Sequence, residues 1–231
     1  MAQPNDGSGR APVAIVRPTT SVTSGVAVTQ KLVGAAVAFG NLISGTFGPN
    51  GLDKMLYKTN GEAAVTNDGA KIVAELLVKH PAAKAFVLLA ESQENACGDG
   101  VTGCLILASE LMREAGRLLE KGLHPLLVVK GYQAALEATL NVLDERVVRI
   151  SPIDVERLIL VAKTAMTGTS AESGSEHLAR CIVEAAQTVS GEEDGVLHVR
   201  TQDVRMTKRG VGTLSDTSLL QGLVLERRFD L

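Results

Sequence analysis

Residues 98–103 read Gly-Asp-Gly-Val-Thr-Gly and stand where a polar stretch gives way to a long apolar one. Glycines at a loop-to-helix junction let backbone N–H groups face an anion at close range. An aspartate between them is a hard oxygen donor of the kind magnesium takes. Together Gly98, Asp99 and Gly100 suggest a site for a metal–phosphate pair. The same tripeptide also fits an ordinary turn whose aspartate caps a helix.

The surrounding pattern supplies elements to position that junction. Val22–Phe47 carries apolar residues at helical spacing and runs into the breakers Gly45, Gly48, Pro49, Asn50 and Gly51. Met55–Tyr57 and Ala63–Val65 flank Thr59-Asn60-Gly61 and predict a β-hairpin. Asp68 is placed to cap a helix over Ala70–Val78. Further helices are expected from His80-Pro81 to about Asn95, from Val101 to Lys121, from His124-Pro125 to Val148, over Ile153–Met166, and near Ser175–Val189. The first half of the Val101 helix is almost wholly apolar, which predicts deep burial. Ser151 is expected to cap the Ile153 helix, with Asp154 completing a weak capping box. Val13–Val16 reads as a short strand, and the tail beyond Gly195 as short strands around Val196, Val199, Val204, Met206 and Leu223–Leu225. That last strand stops without a visible partner, the expectation for a fragment or truncated chain.

Composition narrows the class. Aromatics are 3% of the chain and Trp is absent, so a core must be aliphatic and a base-stacking surface is disfavoured. A net charge of −3 with both signs dispersed leaves no nucleic-acid footprint. Three cysteines without CxxC spacing suggest reduced thiols in a cytoplasmic protein, neither a disulfide frame nor a zinc site. No apolar run reads as a membrane span. His80 and His124 precede helix-starting prolines and are expected to be structural.

Six segments together resemble one family. They are GTFGPNGLDKML (45–56), VTNDGAKIV (65–73), HPAAK (80–84), GDGVTG (98–103), GLHPLLVVKGYQAAL (122–136) and VAKTAMTG (161–168), and SDTSLLQGLVLERRFD (215–230) extends the series. In order and spacing they are similar to the N-terminal part of a group II chaperonin subunit, the family of the thermosome and the eukaryotic cytosolic chaperonin. The resemblance implies a mainly α equatorial domain with a β-hairpin, followed by an α+β intermediate-domain segment. It divides the chain into a disordered tail (1–12), the first half of the equatorial nucleotide-binding domain (13–148), the first half of the intermediate domain (149–213) and the start of an apical domain (214–231).

The resemblance also implies ATP and Mg²⁺ as cofactors, other chaperonin subunits as ring partners, and unfolded proteins as clients of the full-length form. Asp99 would hold the magnesium ion. Gly48, Pro49, Gly98, Gly100, Val101, Thr102 and Gly103 would meet the phosphates. Asp68, and less directly Glu62, would lie near the attacking water. Lys163 would sense the terminal phosphate. The hairpin Lys54–Thr66 would pair with a neighbouring subunit.

Where relatives usually carry a run of threonines, this chain has Val101 and Gly103, with Thr102 alone remaining. Two lost hydroxyl donors at roughly 0.5–1.5 kcal/mol each could weaken binding tenfold or more. The 231-residue chain is therefore expected not to hydrolyse ATP appreciably by itself. An ATP-dependent folding chaperonin is the first reading, and a shortened non-ATPase paralogue acting in assembly or as a scaffold is the alternative. An unrelated ATPase or kinase is disfavoured, because no GxxxxGK[ST] loop is present.

Overall fold

The computed structural model describes residues 23–48, 50–57, 61–208 and 210–224. Seven α-helices and two antiparallel hairpins are found among them. The proposed strand at Val13–Val16, Pro49, the turn residues Thr59 and Asn60, and the tail from Leu225 lie outside the described residues.

Helix α1 (Val26–Ser44) buries Ala36, Phe39, Gly40 and Ile43, the three- and four-residue spacing that lines one helical face. That face lies along α4 (Val101–Glu120), which turns Val101, Leu105, Ser109, Ala115 and Gly116 inward. Small residues let the two axes close up: a methyl group on Gly40 would collide with the Ser109 side chain, and one on Gly116 would come within 2.8 Å of Val33. α2 (Gly69–Ala74) contributes Ile72 and Val73, and α3 (Pro81–Cys97) contributes Ala83, Phe86 and Ala90. The Phe39 and Phe86 rings meet with centroids 5.3 Å apart at 46°, a tilted pair in an otherwise aliphatic core.

The hairpin β1 (Lys54–Tyr57) and β2 (Ala63–Thr66) pairs Lys54 with Thr66 and Tyr57 with Ala63. Leu56 packs on the core while Met55, Tyr57 and Val65 face outward. α5 (Pro125–Arg146) leans on α4 through little more than the buried Val128 and a bond from the Tyr132 hydroxyl to the Leu111 carbonyl at 2.6 Å. A second core forms where α6 (Val155–Met166) packs on α7 (Ser175–Thr188) through Ile159, Met166, Ala179 and Val183. It is followed by the hairpin β3 (Ser190–Glu193) and β4 (Val196–Val199). Asp194 and Gly195 both have positive φ, at 54° and 75°, as a tight two-residue connection requires.

Several expectations shift. α2 ends at Ala74 rather than Val78, and Asp154 rather than Ser151 caps α6, its carboxylate accepting from the Arg157 N–H at 3.2 Å. α4 is amphipathic rather than buried throughout its first half, since Leu107 is 62% exposed. Val204, Met206, Leu223 and Val224 form no strand, whereas the polar run Ser190–Glu193 does. α1 is long and apolar enough, by length and composition, to cross a membrane, contrary to the sequence reading; here its inner face packs on α4 and α3.

Candidate functional site

The junction at residues 97–101 has the geometry that its glycines suggest. α3 ends on Gly98, which takes the left-handed conformation (φ 66°) and returns its N–H to the Glu94 carbonyl at 2.8 Å. Gly100 is left-handed too (φ 79°) and starts α4 without any side-chain cap. The first intrahelical bond runs from the Cys104 N–H to the Gly100 carbonyl. The N–H groups at the head of α4 thus have no acceptor within the helix, and the helix dipole adds positive potential there.

Asp99 sits between the two glycines, exposed, with Oδ1 accepting from the Gly100 N–H at 2.7 Å. Gln93, one turn back on α3, donates from Nε2 to the Asp99 carbonyl at 2.9 Å and packs over Gly100. These bonds tie the loop to α3 and engage one of the two Asp99 carboxylate oxygens. Val101 contributes only its backbone, because its side chain is buried in the first core.

Two other predicted segments converge on this helix start. Gly69 lies so close to Thr102 that a β-carbon there would overlap the Thr102 hydroxyl and come within 3.2 Å of its Cα. Asp68 is therefore adjacent to the 98–103 loop. Its carboxylate accepts from the Ala70 N–H at 2.9 Å as the cap of α2, while its own N–H is bound by Thr66 Oγ1 at 3.1 Å. On the other side the Phe47 ring rests on Gly103, at 3.4 Å from where a β-carbon would stand, which brings the Gly48 loop alongside. Gly48 has φ 85°, a conformation that favours glycine.

Asn67 makes a contact that sequence reasoning missed. Its Nδ2 donates 2.8 Å to the carbonyl of Gly168, beyond the end of α6 and 101 residues away. No local signal announces such a bond. Lys163, by contrast, is turned to α7, with Nζ 2.6 Å from Glu176, which also binds Arg180 at 2.9 Å. The two cations hold the Glu176 carboxyl below its usual range, Lys163 contributing most. Glu62 lies just before β2, exposed. His80 and His124 act as helix caps, each accepting a backbone N–H at Nδ1, from Ala82 at 3.2 Å and from Leu126 at 3.3 Å.

Among the described residues no three His, Cys, Asp or Glu side chains gather as a metal cage. The donor set still fits magnesium, which keeps most of its waters and needs one or two carboxylates beside phosphate oxygens. Asp99 beside a bare helix start supplies that combination, and the tight Gly69–Thr102 approach supplies the cradle.

Comparison with known proteins identifies the family. Residues 39–230 match the TCP-1/cpn60 chaperonin family. The chain is 38% identical over 216 residues to thermosome subunit beta of Archaeoglobus fulgidus, covering 94% of this chain and 40% of that protein. It is 40% identical over 193 residues to a thermosome subunit of Methanopyrus kandleri, covering 84% and 35%. With thermosome subunit alpha of Halobacterium salinarum the figures are 35% over 219 residues, 95% and 38%. The chain thus spans about two fifths of the length of the curated relatives it matches. The segments that meet at the head of α4 all fall within the matched region, and the chain belongs to the TCP-1/cpn60 chaperonin family, among its group II, thermosome-like subunits.

Proposed function

We propose that this chain is the nucleotide-handling part of an ATP-driven chaperonin subunit. The observation that carries the reading is the convergence of the Gly48 loop, the Asp68–Gly69 cap and the Asp99-Gly100 turn on the uncapped start of α4. On this reading Asp99 holds magnesium through its second carboxylate oxygen. The N–H groups of Val101, Thr102 and Gly103 and the Thr102 hydroxyl receive phosphate oxygens. Asp68 faces the terminal phosphate, with Glu62 further out, and Pro49 shares the Gly48 loop. Magnesium supplies charge neutralisation at the phosphates, and the protein's share is positioning.

The equatorial (13–148), intermediate (149–213) and apical (214–231) divisions belong to the same proposal. So do a cytoplasmic ring built with other chaperonin subunits and the capture of unfolded proteins by the whole assembly. Asn67 bound to Gly168 ties the proposed phosphate site to the segment beyond α6, the helix that carries Lys163. That tie supports a coupling between nucleotide and the second core.

Calorimetric titration with Mg-ATP tests the reading. Saturable binding that weakens at least tenfold in Asp99→Ala supports it, and binding indifferent to that substitution overturns it. Steady phosphate release by the pure 231-residue chain is not expected. Val101 and Gly103 in place of threonines also favour a second reading, a chaperonin-like scaffold that holds nucleotide without turning it over. Co-purification with longer subunits, and nucleotide retained unhydrolysed in that assembly, would single it out.

A further inference from the structure

A different set of donors meets on the outer face of α7, away from the nucleotide reading and independent of it. His177 and Cys181 are four residues apart, the spacing that stacks two side chains on one helical face. Cys181 Sγ stands 3.8 Å from His177 Nε2, and that same nitrogen is 2.6 Å from the Thr217 carbonyl oxygen. Sγ is 4.0 Å from the Thr217 oxygen. Cys181 is half-buried and forms no disulfide. A carbonyl only accepts, so Nε2 carries a hydrogen and donates it to Thr217. The segment it holds is itself ordered. Thr213 and Asp216 form a reciprocal capping box, with Asp216 Oδ2 accepting from the Thr213 N–H at 2.7 Å and its hydroxyl at 2.9 Å, and Leu214 packs against Gly174 just before α7.

We propose that His177 and Cys181 form a two-point site for a thiophilic divalent cation of the zinc type, and that this cation competes with the Thr217 carbonyl for His177 Nε2. Zinc bonds of about 2.3 Å to sulfur and 2.0–2.1 Å to nitrogen bridge donors 3.8 Å apart at an angle of roughly 120°, close to tetrahedral. On α7 the bite needs only side-chain adjustment, whereas the Thr217 carbonyl, 2.6 Å from Nε2, must move aside. The cation requires the lone pair that Nε2 now covers with hydrogen. On binding, the Cys181 thiol proton leaves to solvent, and the imidazole proton moves from Nε2 to Nδ1, so one proton is released per ion. The Thr217 carbonyl then loses its donor, and water completes the coordination. Because only two side chains contribute, the site is exchangeable, unlike a closed four-ligand structural site.

Cobalt(II) is the probe for the site and zinc the competitor. The experiment uses the full chain with Cys97→Ser and Cys104→Ser, so that Cys181 is the one thiol left. The expected result is a thiolate-to-cobalt charge-transfer band saturating at one ion per chain and displaced by zinc. The band should vanish in Cys181→Ser, and His177→Ala should weaken binding at least tenfold, with circular dichroism confirming that both variants keep their helices. Amide exchange at 213–217 should accelerate when zinc is added. No band, a band indifferent to His177→Ala, or unchanged exchange at 213–217 overturns the proposal.

Discussion

Gly69 shows how much a single absent methyl can decide. It begins α2 directly against Thr102, the one side-chain hydroxyl in residues 98–103. Gly69→Ala would push α2 and α4 apart at the point where the proposed phosphate cradle closes. Overpacking of this kind costs about 1–3 kcal/mol. The variant should unfold at lower denaturant concentration and bind Mg-ATP more weakly, both measurable on one preparation. If nucleotide binding is unchanged while stability falls, the cradle is not at that contact. At this scale the sequence was informative where a residue's chemistry is local. The left-handed glycines flanking Asp99 and the aspartate cap of α2 follow from residue type and position alone. The bonds from Gln93 to Asp99 and from Asn67 to Gly168 do not, because an amide side chain carries no mark of which distant carbonyl it will meet.

The helices were legible because their periodicity is a direct image of the face they bury, and the structure moves most of their ends by only a few residues. β3 was missed for the opposite reason: Ser-Gly-Glu-Glu has no alternation, and its pairing comes from the Asp194-Gly195 turn bringing Val196–Val199 alongside. Between helices the α6–α7 contact depends in part on charge. Glu176 accepts from Lys163 and Arg180, and its carboxyl is held below the usual 4.5 chiefly by Lys163. A depressed carboxylate stabilises the fold above its ordinary pKa, and that contribution is lost as pH falls through the lowered value. Lys163→Met should therefore raise the Glu176 pKa toward 4.5 without restoring it fully, since Arg180 remains. A carboxyl-carbon NMR titration reads this directly. A Glu176 titration indifferent to the substitution would show that Lys163 points elsewhere in solution, available to the terminal phosphate that the family resemblance assigns to it.

On the scale of the whole molecule, the described residues pack two cores and leave a great deal of apolar surface uncovered. Leu136, Leu140 and Leu143 follow one another at helical spacing on α5 and are 58%, 51% and 56% exposed. Such a stripe promotes association between molecules. Replacing the three with Lys, Glu and Lys should lower the apparent mass in light scattering at high concentration and leave the helical circular dichroism intact. Loss of helix instead would show that α5 is held by contacts along that stripe. The consequence reaches further than solubility. Folding machines capture proteins by the greasy surface they have failed to hide. A 22-residue helix with only Val128 tucked away displays such a surface continuously. Until something covers α5, this chain carries on its own surface the kind of apolar stripe by which unfolded proteins are caught.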